Sequence, residues 1–561
     1  MNKKLFYLAL GVAVVGMTGC SKKLGQFKSD FFTTVPTPLE TVGENVPGTI
    51  TGNIPAKFMV KNAKVTATPV IQWTAGGETA ATPVVIQGEN VRANGQVVSY
   101  TNGGTVNIPF SVLYQTEMAK SDLYLDFSVD QNGKLYALPR VKVGYGVIST
   151  STLASAKTVT PAVAKDNFQK IINEKYSADI HFLINQANIR SSQTDKADYI
   201  DLNKRLMEAN KAANQEIAGI TINSYASPDG TLAFNTQLAE KRETNTASFV
   251  ENQLKKDKIT EFGELTSSFT PEDWEGFQEL VEKSNIQDKE LILSVLKMYP
   301  DPEQREQEIR NLSSVFNELA DQILPQLRYS RVLASINVIG KSDQELINLF
   351  NTNPKALTQD EILYVATLTD DNTKKMEVYN KACEIYPKDY RTFNNLGLTQ
   401  YVAGDYDGAK ANFEHALRLN PSCKEAEMNL GLISMINHNY AKAQEQIGAA
   451  TGVPEANDAL GVYYLSQGDL SKAIRSFGDS KTNNAALAQI LAQDYTTAKS
   501  TLGAIKNPDA TTYYLTAVLG ARTNNQNMVM NNLRQAVKLD KNLLNRAKAD
   551  LEFAKYNLST L

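Results

Sequence analysis

A repeat of 34 residues in the C-terminal part of the chain constrains the fold more than any other feature of the sequence. Leu396-Gly397 recurs 34 residues later as Leu430-Gly431, and a further copy follows as Leu460-Gly461. Small residues let two paired helices approach closely, whereas larger apolar residues fill the spaces between them. Because such units bury their apolar faces only against their neighbours, the period predicts a stack of helix-turn-helix units.

This pattern resembles the tetratricopeptide repeat, which has the same period. The clearest unit is completed by Gly404-Asp405-Tyr406, Ala409, Phe413, Ala416 and Pro421. We expect five or six units in a domain spanning residues 352–561, including a degenerate first unit at 362–387 that follows a Thr358-x-x-Glu361 capping box. The resemblance implies a curved α-solenoid whose concave surface binds a partner protein, and a purely structural stack is the alternative.

Residues 165–342 alternate between strand and helix patterns. The predicted strands are 178–184, 217–225 and 332–338, the predicted helices are 196–213 and 232–255, and a polar helical insertion occupies 271–324. Between the second strand and its helix lies the turn Ser227-Pro228-Asp229-Gly230-Thr231, which offers several N-cap residues. The free N–H groups of such a helix start suit a carboxylate ligand, which Arg242 could hold in a bidentate fork.

The helix carries Asn235-Thr236-Gln237-Leu238-Ala239-Glu240-Lys241-Arg242, which resembles the Asn-x-x-Leu-Ser-x-x-Arg pattern of the OmpA-like peptidoglycan-binding domain. Two strand segments, at 181–190 and 331–332, resemble other parts of that family. The resemblance implies that Arg242 and a turn aspartate grip the diaminopimelate unit of the cell wall, with Asn235 and Leu238 supporting the motif. Ser227 stands where the family has that aspartate, and Asp229 is the candidate replacement.

Residues 56–150 show the period-two alternation of β-strands and predict a small β-sandwich of about seven strands. Asn94-Gly95 and Asn132-Gly133 are each expected to form the turn of a β-hairpin. Residues 21–55 are rich in Pro, Thr and Gly and predict a tether, and the Ser- and Thr-rich residues 151–165 predict a linker.

The first twenty residues have the pattern of a signal peptide. Lys3 and Lys4 precede an apolar run at 5–17, which is too short to span a membrane. The segment ends in Met17-Thr18-Gly19-Cys20, which resembles the lipobox of bacterial lipoproteins. This resemblance implies that Cys20 is acylated and that the protein is anchored by lipid in the outer membrane. The periplasmic face is favoured, with the cell surface as the alternative.

Composition and motifs narrow the function further. The chain has 57 basic and 61 acidic residues, a near-balance that argues against binding to nucleic acid. The sequence has no recognisable metal cluster, catalytic triad motif or phosphate loop, so we expect neither an enzyme nor a cofactor. The predicted function is that of a lipid-anchored periplasmic scaffold that contacts peptidoglycan and a partner protein. The alternatives are a cell-envelope or secretion-machinery adaptor without cell-wall binding and, more remotely, a cell-wall enzyme.

Overall fold

The structure is a computed structural model that describes residues 23–561 except 75, 287, 312 and 560, with residues 313–315 described by their backbone alone. The chain divides into two compact units, the first formed by Met1–Lys165 with Thr369–Leu561 and the second by Asp166–Leu368. The predicted signal peptide, with Cys20, lies outside the described residues. Within the part of the chain that is described, no helix has the length and apolar character needed to cross a membrane.

The N-terminal part of the first unit is rich in strands, as predicted. Its strands are β1 (Phe32–Val35), β2 (Leu39–Glu40), β3 (Asn45–Ile54), β4 (Ala63–Trp73), β5 (Glu78–Ala80), β6 (Val84–Gly88), β7 (Gln96–Val98), β8 (Gly104–Leu113), β9 (Ser121–Gln131), β10 (Lys134–Tyr145) and β11 (Val147–Ile148). One sheet has the order β1-β3-β8 and a second the order β10-β9-β4-β6-β7, with β5 beside β4, while β2 pairs with β11. Ile50 and Ile108 of the first sheet share one apolar core with Val65 and Leu123 of the second.

The predicted tether at 21–55 is wrong, because β1, β2 and β3 lie within it. The buried apolar side chains of β3 are those of Val46, Ile50 and Ile54. Gly48 and Gly52 take the positions between them, where an added Cβ would lie 2.6 Å and 2.8 Å from phenylalanine rings. These two glycines make room for the rings and interrupt the apolar alternation that identifies a strand in the sequence.

The two expected hairpins have different outcomes. Asn132 and Gly133 adopt positive φ angles of 55° and 81° and connect the antiparallel strands β9 and β10, which confirms this turn. The hairpin expected at Asn94-Gly95 is wrong, because β6 and β7 pair in parallel. The Gly95 N–H instead donates a hydrogen bond of 3.1 Å to the side chain of Gln87 in β6.

The second unit is an α/β fold with one four-stranded sheet. Its elements are β12 (Ile171–His181), α1 (Ser191–Thr194), α2 (Ala197–Lys211), β13 (Gln215–Tyr225), α3 (Leu232–Lys256), β14 (Glu264–Thr270), α4 (Trp274–Lys283), α5 (Lys289–Met298), α6 (Pro302–Asn311), α7 (Ser313–Gln322), β15 (Tyr329–Ile339), α8 (Asp343–Thr352) and α9 (Gln359–Val365). The strand order is β12-β15-β13-β14, with α2 and α3 packed on the sheet through a shared apolar core. Helices α4 to α7 form the predicted insertion. The edge strand β14 was not predicted, because most of its residues are exposed and show no alternation.

The predicted start of the repeat domain at 352 and its degenerate unit at 362–387 are wrong, because residues up to 368 belong to the second unit. Thr358 and Glu361 form the expected capping box of α9. Glu361 also forms an ion pair of 2.7 Å with Lys341, which follows β15. This ion pair ties α9 to the end of β15 within the second unit.

The remainder of the first unit is an array of antiparallel helix pairs. Its helices are α10 (Asn372–Ile385), α11 (Tyr390–Ala403), α12 (Tyr406–Leu419), α13 (Lys424–Ile436), α14 (Tyr440–Ala449), α15 (Ala456–Ser466), α16 (Leu470–Phe477), α17 (Asn483–Leu491), α18 (Tyr495–Gly503), α19 (Ala510–Arg522), α20 (Gln526–Leu539) and α21 (Leu543–Ala549). A single continuous apolar core runs through the array from α11 to α21. Gly431 and Gly461 allow the close helix approach, since a Cβ on either would lie 2.5 Å from a side chain of the paired helix.

Candidate functional site

The helical array holds a segment of its own chain. Residues 154–165, which we call the groove segment, pass over the first helices of successive pairs and were predicted to be part of a linker. The segment has extended backbone at Ser155 and Val159 and a single 3-10 turn at Ala156–Thr158. Ala156, Val159 and Ala162 are buried in the apolar core of the array. The prediction of a linker at 151–165 is therefore wrong for this stretch, which packs as part of the fold.

Three asparagines of the array bind the backbone of the groove segment. Each side-chain amide accepts a hydrogen bond from the N–H of one segment residue and donates another to the C=O of the same residue. The pairs, with the N–H···Oδ1 distance first, are Asn395 with Ala164 (2.9 and 2.9 Å), Asn429 with Ala162 (2.7 and 2.8 Å) and Asn484 with Ser155 (3.0 and 3.0 Å). The segment therefore runs from α17 through α13 to α11, opposite to the order of the helices.

A fourth asparagine joins two of these contacts. Asn394 donates to the C=O of Ala162 at 3.1 Å, and its own Oδ1 accepts a hydrogen bond of 3.1 Å from Asn429. Next to this group the Tyr401 hydroxyl donates to the C=O of Ala156 at 2.5 Å, and burial raises the pKa of Tyr401 above its ordinary value. We call the face lined by Asn394, Asn395, Asn429 and Asn484 the asparagine groove. Its polar side chains are buried yet hydrogen-bonded, as buried amides must be to avoid a desolvation cost.

The chemistry of this groove is that of backbone recognition. A side-chain amide carries the same donor and acceptor as a peptide group, so its pair of bonds reads an extended chain without reading side chains. Side-chain selectivity arises from the space at the buried positions and from the Thr158 hydroxyl, which accepts a hydrogen bond of 3.0 Å from Asn484. Ala162 and Ala164 are 0% and 2% exposed, whereas Lys157 and Val163 point to solvent. The groove therefore accepts an extended segment with small side chains at its buried positions.

The asparagines were not identified from the sequence, although two of them left a signal there. Asn395 and Asn429 lie 34 residues apart, each directly before a Leu-Gly pair of the repeat. A polar residue at the same position of consecutive units, next to residues expected in the core, indicates a shared partner. Asn484 has no such signal, because α17 lacks the Leu-Gly pair.

The residues before the groove segment are also held against the array. Arg522 of α19 forms ion pairs with Glu40 of β2, at 2.5 Å, and with Glu552, at 2.6 Å. Tyr440 of α14 donates a hydrogen bond of 2.7 Å to Glu44. The strand-rich region and the helical array therefore contact each other directly as well as through the groove segment.

In the second unit, the structure places Arg242 in the interior. Its side chain is fully buried and donates three hydrogen bonds to backbone C=O groups, of Gln186 at 3.0 Å, Tyr225 at 2.8 Å and Leu183 at 3.3 Å. The guanidinium lies over the ring of Phe182. Burial, with a smaller effect of a neighbouring arginine, lowers the pKa of Arg242 to about 10. These bonds tie α3 to the loop after β12 and to the end of β13.

The other predicted binding residues also have partners within the protein. Arg328 forms an ion pair of 2.7 Å with Asp229, and its Nε donates to the Ser227 hydroxyl at 3.0 Å. Ser227 in turn donates to Asp229 at 2.9 Å. Asp229 therefore already has a cation and a hydroxyl donor as neighbours.

The two motif-supporting residues are buried beside this cluster. Leu238 packs with Ala226 and Ala239. Asn235 is 1% exposed and donates to the C=O of Gly230 at 2.9 Å and to Glu272, just before α4, at 3.2 Å. The structure thus brings all five predicted residues to one end of the sheet, where their polar groups bond within the protein. Binding of cell-wall peptide by these residues stays a prediction.

Comparisons with known proteins identify the repeats. A family model described as tetratricopeptide repeat matches residues 390–423, which contain α11 and α12, so the C-terminal helical array includes a tetratricopeptide repeat. A chain of the anaphase-promoting complex hetero-tetramer Cut9-Hcn1 is similar at 16% identity over 37% of this chain, with a TM-score of 0.33, and the match spans only 45% of that chain.

Two further tetratricopeptide repeat structures give similar values. A tetratricopeptide repeat protein from Parabacteroides merdae ATCC 43184 matches at 15% identity, with 36% of this chain and 88% of that chain covered and a TM-score of 0.29. YrrB, described as a tetratricopeptide repeat protein with an unusual peptide-binding site, matches at 17% identity over 38% of this chain and 100% of its own, with a TM-score of 0.22. No curated protein matches the sequence.

Proposed function

We propose that this chain is a protein-interaction scaffold whose asparagine groove binds extended polypeptide through its backbone. The observation that carries the proposal is the set of three asparagines that each bond to both the N–H and the C=O of one segment residue. Such pairing satisfies the buried amides and the buried backbone at once, which neither an empty groove nor a helical ligand would do. In the present structure the bound polypeptide is the groove segment.

The groove segment has a structural consequence for the scaffold. It follows β11 after a short 3-10 turn at Thr150–Leu153, so its binding adds to the direct contacts between the strand-rich region and the repeats, such as the Arg522–Glu40 ion pair. A scaffold of this kind presents the strand-rich region and the repeats as one body, and its partners meet the surfaces that this packing leaves exposed.

Limited proteolysis tests the proposal. Lys157 lies within the groove segment, and trypsin cleaves after it only when the segment leaves the groove. We expect the double variant Asn395→Ala/Asn429→Ala to be cleaved after Lys157 at least tenfold faster than the wild type. Asn437→Ala, which changes an exposed asparagine of the same array, is the matched control and should be cleaved at the wild-type rate. Equal cleavage of all three proteins would contradict backbone binding by the groove.

The proposal includes lipid anchoring at the periplasmic face of the outer membrane. Support for it comes from the Met17 to Cys20 motif and the short apolar run before it. Cys20→Ser should move the protein from the membrane fraction to the soluble fraction or leave an unprocessed precursor, and it should abolish labelling by a palmitate analogue. Unchanged fractionation and labelling would refute the anchor.

The proposal also includes contact with peptidoglycan through the second unit as an OmpA-like domain. Support for it comes from the Asn235 to Arg242 motif. The competing candidate is an envelope or secretion-machinery adaptor that does not touch the cell wall. The interior bonds of Arg242 and the Asp229–Arg328 ion pair favour that second candidate. Sedimentation of the full mature chain with purified sacculi separates the two, because only a wall-binding protein pellets with them.

A further inference from the structure

We infer that the asparagine groove is an exchangeable site, in which the groove segment occupies the place of a partner's extended segment with small buried side chains. This inference rests on the proposed function. It adds the chemistry of the partner and the condition under which that partner binds. The occupant seen here defines that chemistry, because it shows which backbone groups are bonded and which side chains are enclosed.

The exchange follows from the cost of an empty groove. Asn394 and Asn429 are 0% exposed, Asn395 is 2% and Asn484 is 4% exposed while the segment is bound. If the segment left, these amides would lose the backbone partners that satisfy them, and the apolar core that packs against Ala156, Val159 and Ala162 would be exposed to water. The groove is therefore stable when a polypeptide backbone fills it, and replacement by another backbone is favoured over simple release.

The buried and exposed positions of the groove segment define the partner segment that can replace it. The buried residues of the groove segment are Ala156, Val159, Pro161, Ala162 and Ala164. Residues between them, such as Lys157, Thr160 and Val163, are exposed and leave their positions open to other side chains. A partner segment therefore needs alanine-sized residues at the two positions that correspond to 162 and 164, and it tolerates large or charged residues at the exposed positions.

Covalent connection explains why the groove holds its own segment by default. A tethered segment competes at an effective concentration of roughly millimolar, so an outside segment of equal intrinsic affinity is excluded at ordinary concentrations. A partner gains access when its segment is better matched or when the groove segment is weakened. The groove segment thus acts as a built-in competitor that sets the threshold for partner binding.

The test uses the full mature chain and a fluorescein-labelled peptide with the sequence of residues 153–166. Ala162→Arg in the chain places a large charged side chain at a buried position and should expel the groove segment. We expect this variant to bind the labelled peptide at least tenfold more tightly than the wild type, measured by fluorescence anisotropy. Val163→Arg is the matched control, since Val163 is 44% exposed, and it should behave like the wild type.

Two further variants make the result specific. Adding Asn395→Ala and Asn429→Ala to the Ala162→Arg chain should return peptide binding to the wild-type level. A second way to open the groove is to replace residues 157–164 by a Gly-Ser stretch of equal length, which keeps the connection and serves if Ala162→Arg does not fold by circular dichroism. Failure of a folded, opened chain to bind the peptide would overturn the inference. An exchange of segments between two copies, seen as a wild-type dimer in size-exclusion chromatography, would overturn the proposed partner.

The two proposals fail differently. If the asparagine variants do not accelerate cleavage after Lys157, the groove does not hold the backbone and both proposals fall. If cleavage accelerates but the opened groove ignores the peptide, the groove serves only the fold of its own chain. In that case the proposal that the groove binds a partner's peptide is wrong, while the hydrogen bonding of residues 154–165 by the asparagines is confirmed.

Discussion

Asn429→Ala is the single substitution that most directly tests how the groove segment is held. The Asn429 side chain is fully buried and makes three hydrogen bonds. It accepts one from the N–H of Ala162 at 2.7 Å, and it donates to the C=O of Ala162 at 2.8 Å and to Asn394 at 3.1 Å. Truncation removes all three while leaving the apolar packing of α13 nearly unchanged.

The expected cost follows from the groups left behind. The C=O of Ala162 keeps a hydrogen bond from Asn394, whereas the N–H of Ala162 and the Oδ1 of Asn394 each lose the partner described here. A buried polar group without a partner costs about 1–3 kcal/mol. A water molecule entering the vacated space restores part of that loss. We therefore expect the free energy of opening the groove segment to be roughly 2–4 kcal/mol lower in this variant than in the wild type.

Hydrogen exchange followed by mass spectrometry measures this change. A loss of roughly 2–4 kcal/mol accelerates exchange about 30- to 700-fold, because each 1.4 kcal/mol is a factor of ten. The informative amides are those of Ser155 and Ala164, which bond to other asparagines and report opening of the whole segment. A peptide from β4, in the core of the strand-rich region, should exchange at an unchanged rate, and Asn437→Ala should leave all rates unchanged. If Asn429→Ala leaves the exchange of residues 154–165 unaltered, the asparagines do not hold the segment and the reasoning is refuted.

Other parts of the molecule give three further predictions. Gly431→Ala should lower the melting temperature of the repeats, since its Cβ would lie 2.5 Å from an isoleucine side chain and overpacking costs about 1–3 kcal/mol, whereas Gly448→Ala, with open space around it, should not. Arg242→Ala should lower the urea midpoint of the second unit by leaving three backbone C=O groups without their donor, and an unchanged midpoint would contradict its structural role. Burial raises the pKa of Asp550 above the ordinary aspartate range. The stability that this residue contributes is therefore present at low pH and is lost as pH rises through the raised pKa. Because asparagine does not titrate, the melting temperature of Asp550→Asn should rise relative to that of the wild type between pH 4 and 7.

The repeats and most elements of the α/β region could be predicted because each depends on residues that are close in the sequence. The Leu-Gly pairs at 396, 430 and 460 bury against the helix of their own unit, so their period is visible without any distant contact. Helix α3 begins at Leu232, as its turn and N-cap residues indicate, and Thr231 accepts the hydrogen bond from the N–H of Phe234. Local hydrogen bonding and helical period determine such elements.

The strand-rich region was recognised only where its alternation is uninterrupted. In β3 the inward positions Gly48 and Gly52 are small because rings from other strands fill the space above them. The reason for these glycines lies in Phe110 and Phe32, whose proximity depends on the pairing of β3 with β8 and β1. A pattern that depends on its neighbours in the sheet is hidden when each segment is considered alone.

What the sequence by itself determined, then, is the class of each region: strands first, an α/β unit in the middle and a helical solenoid at the end. Only the tertiary structure decided what each polar residue does. Asn429 lies 267 residues from Ala162, and no local preference of either residue indicates that they pair. Arg242 has the spacing of a ligand-binding residue, yet its guanidinium bonds to the backbone of the loop after β12 and of the end of β13. Hydrogen-bond partners of buried polar groups are chosen by the packing of distant segments, because a buried amide or guanidinium bonds to whichever donor or acceptor the fold places within reach.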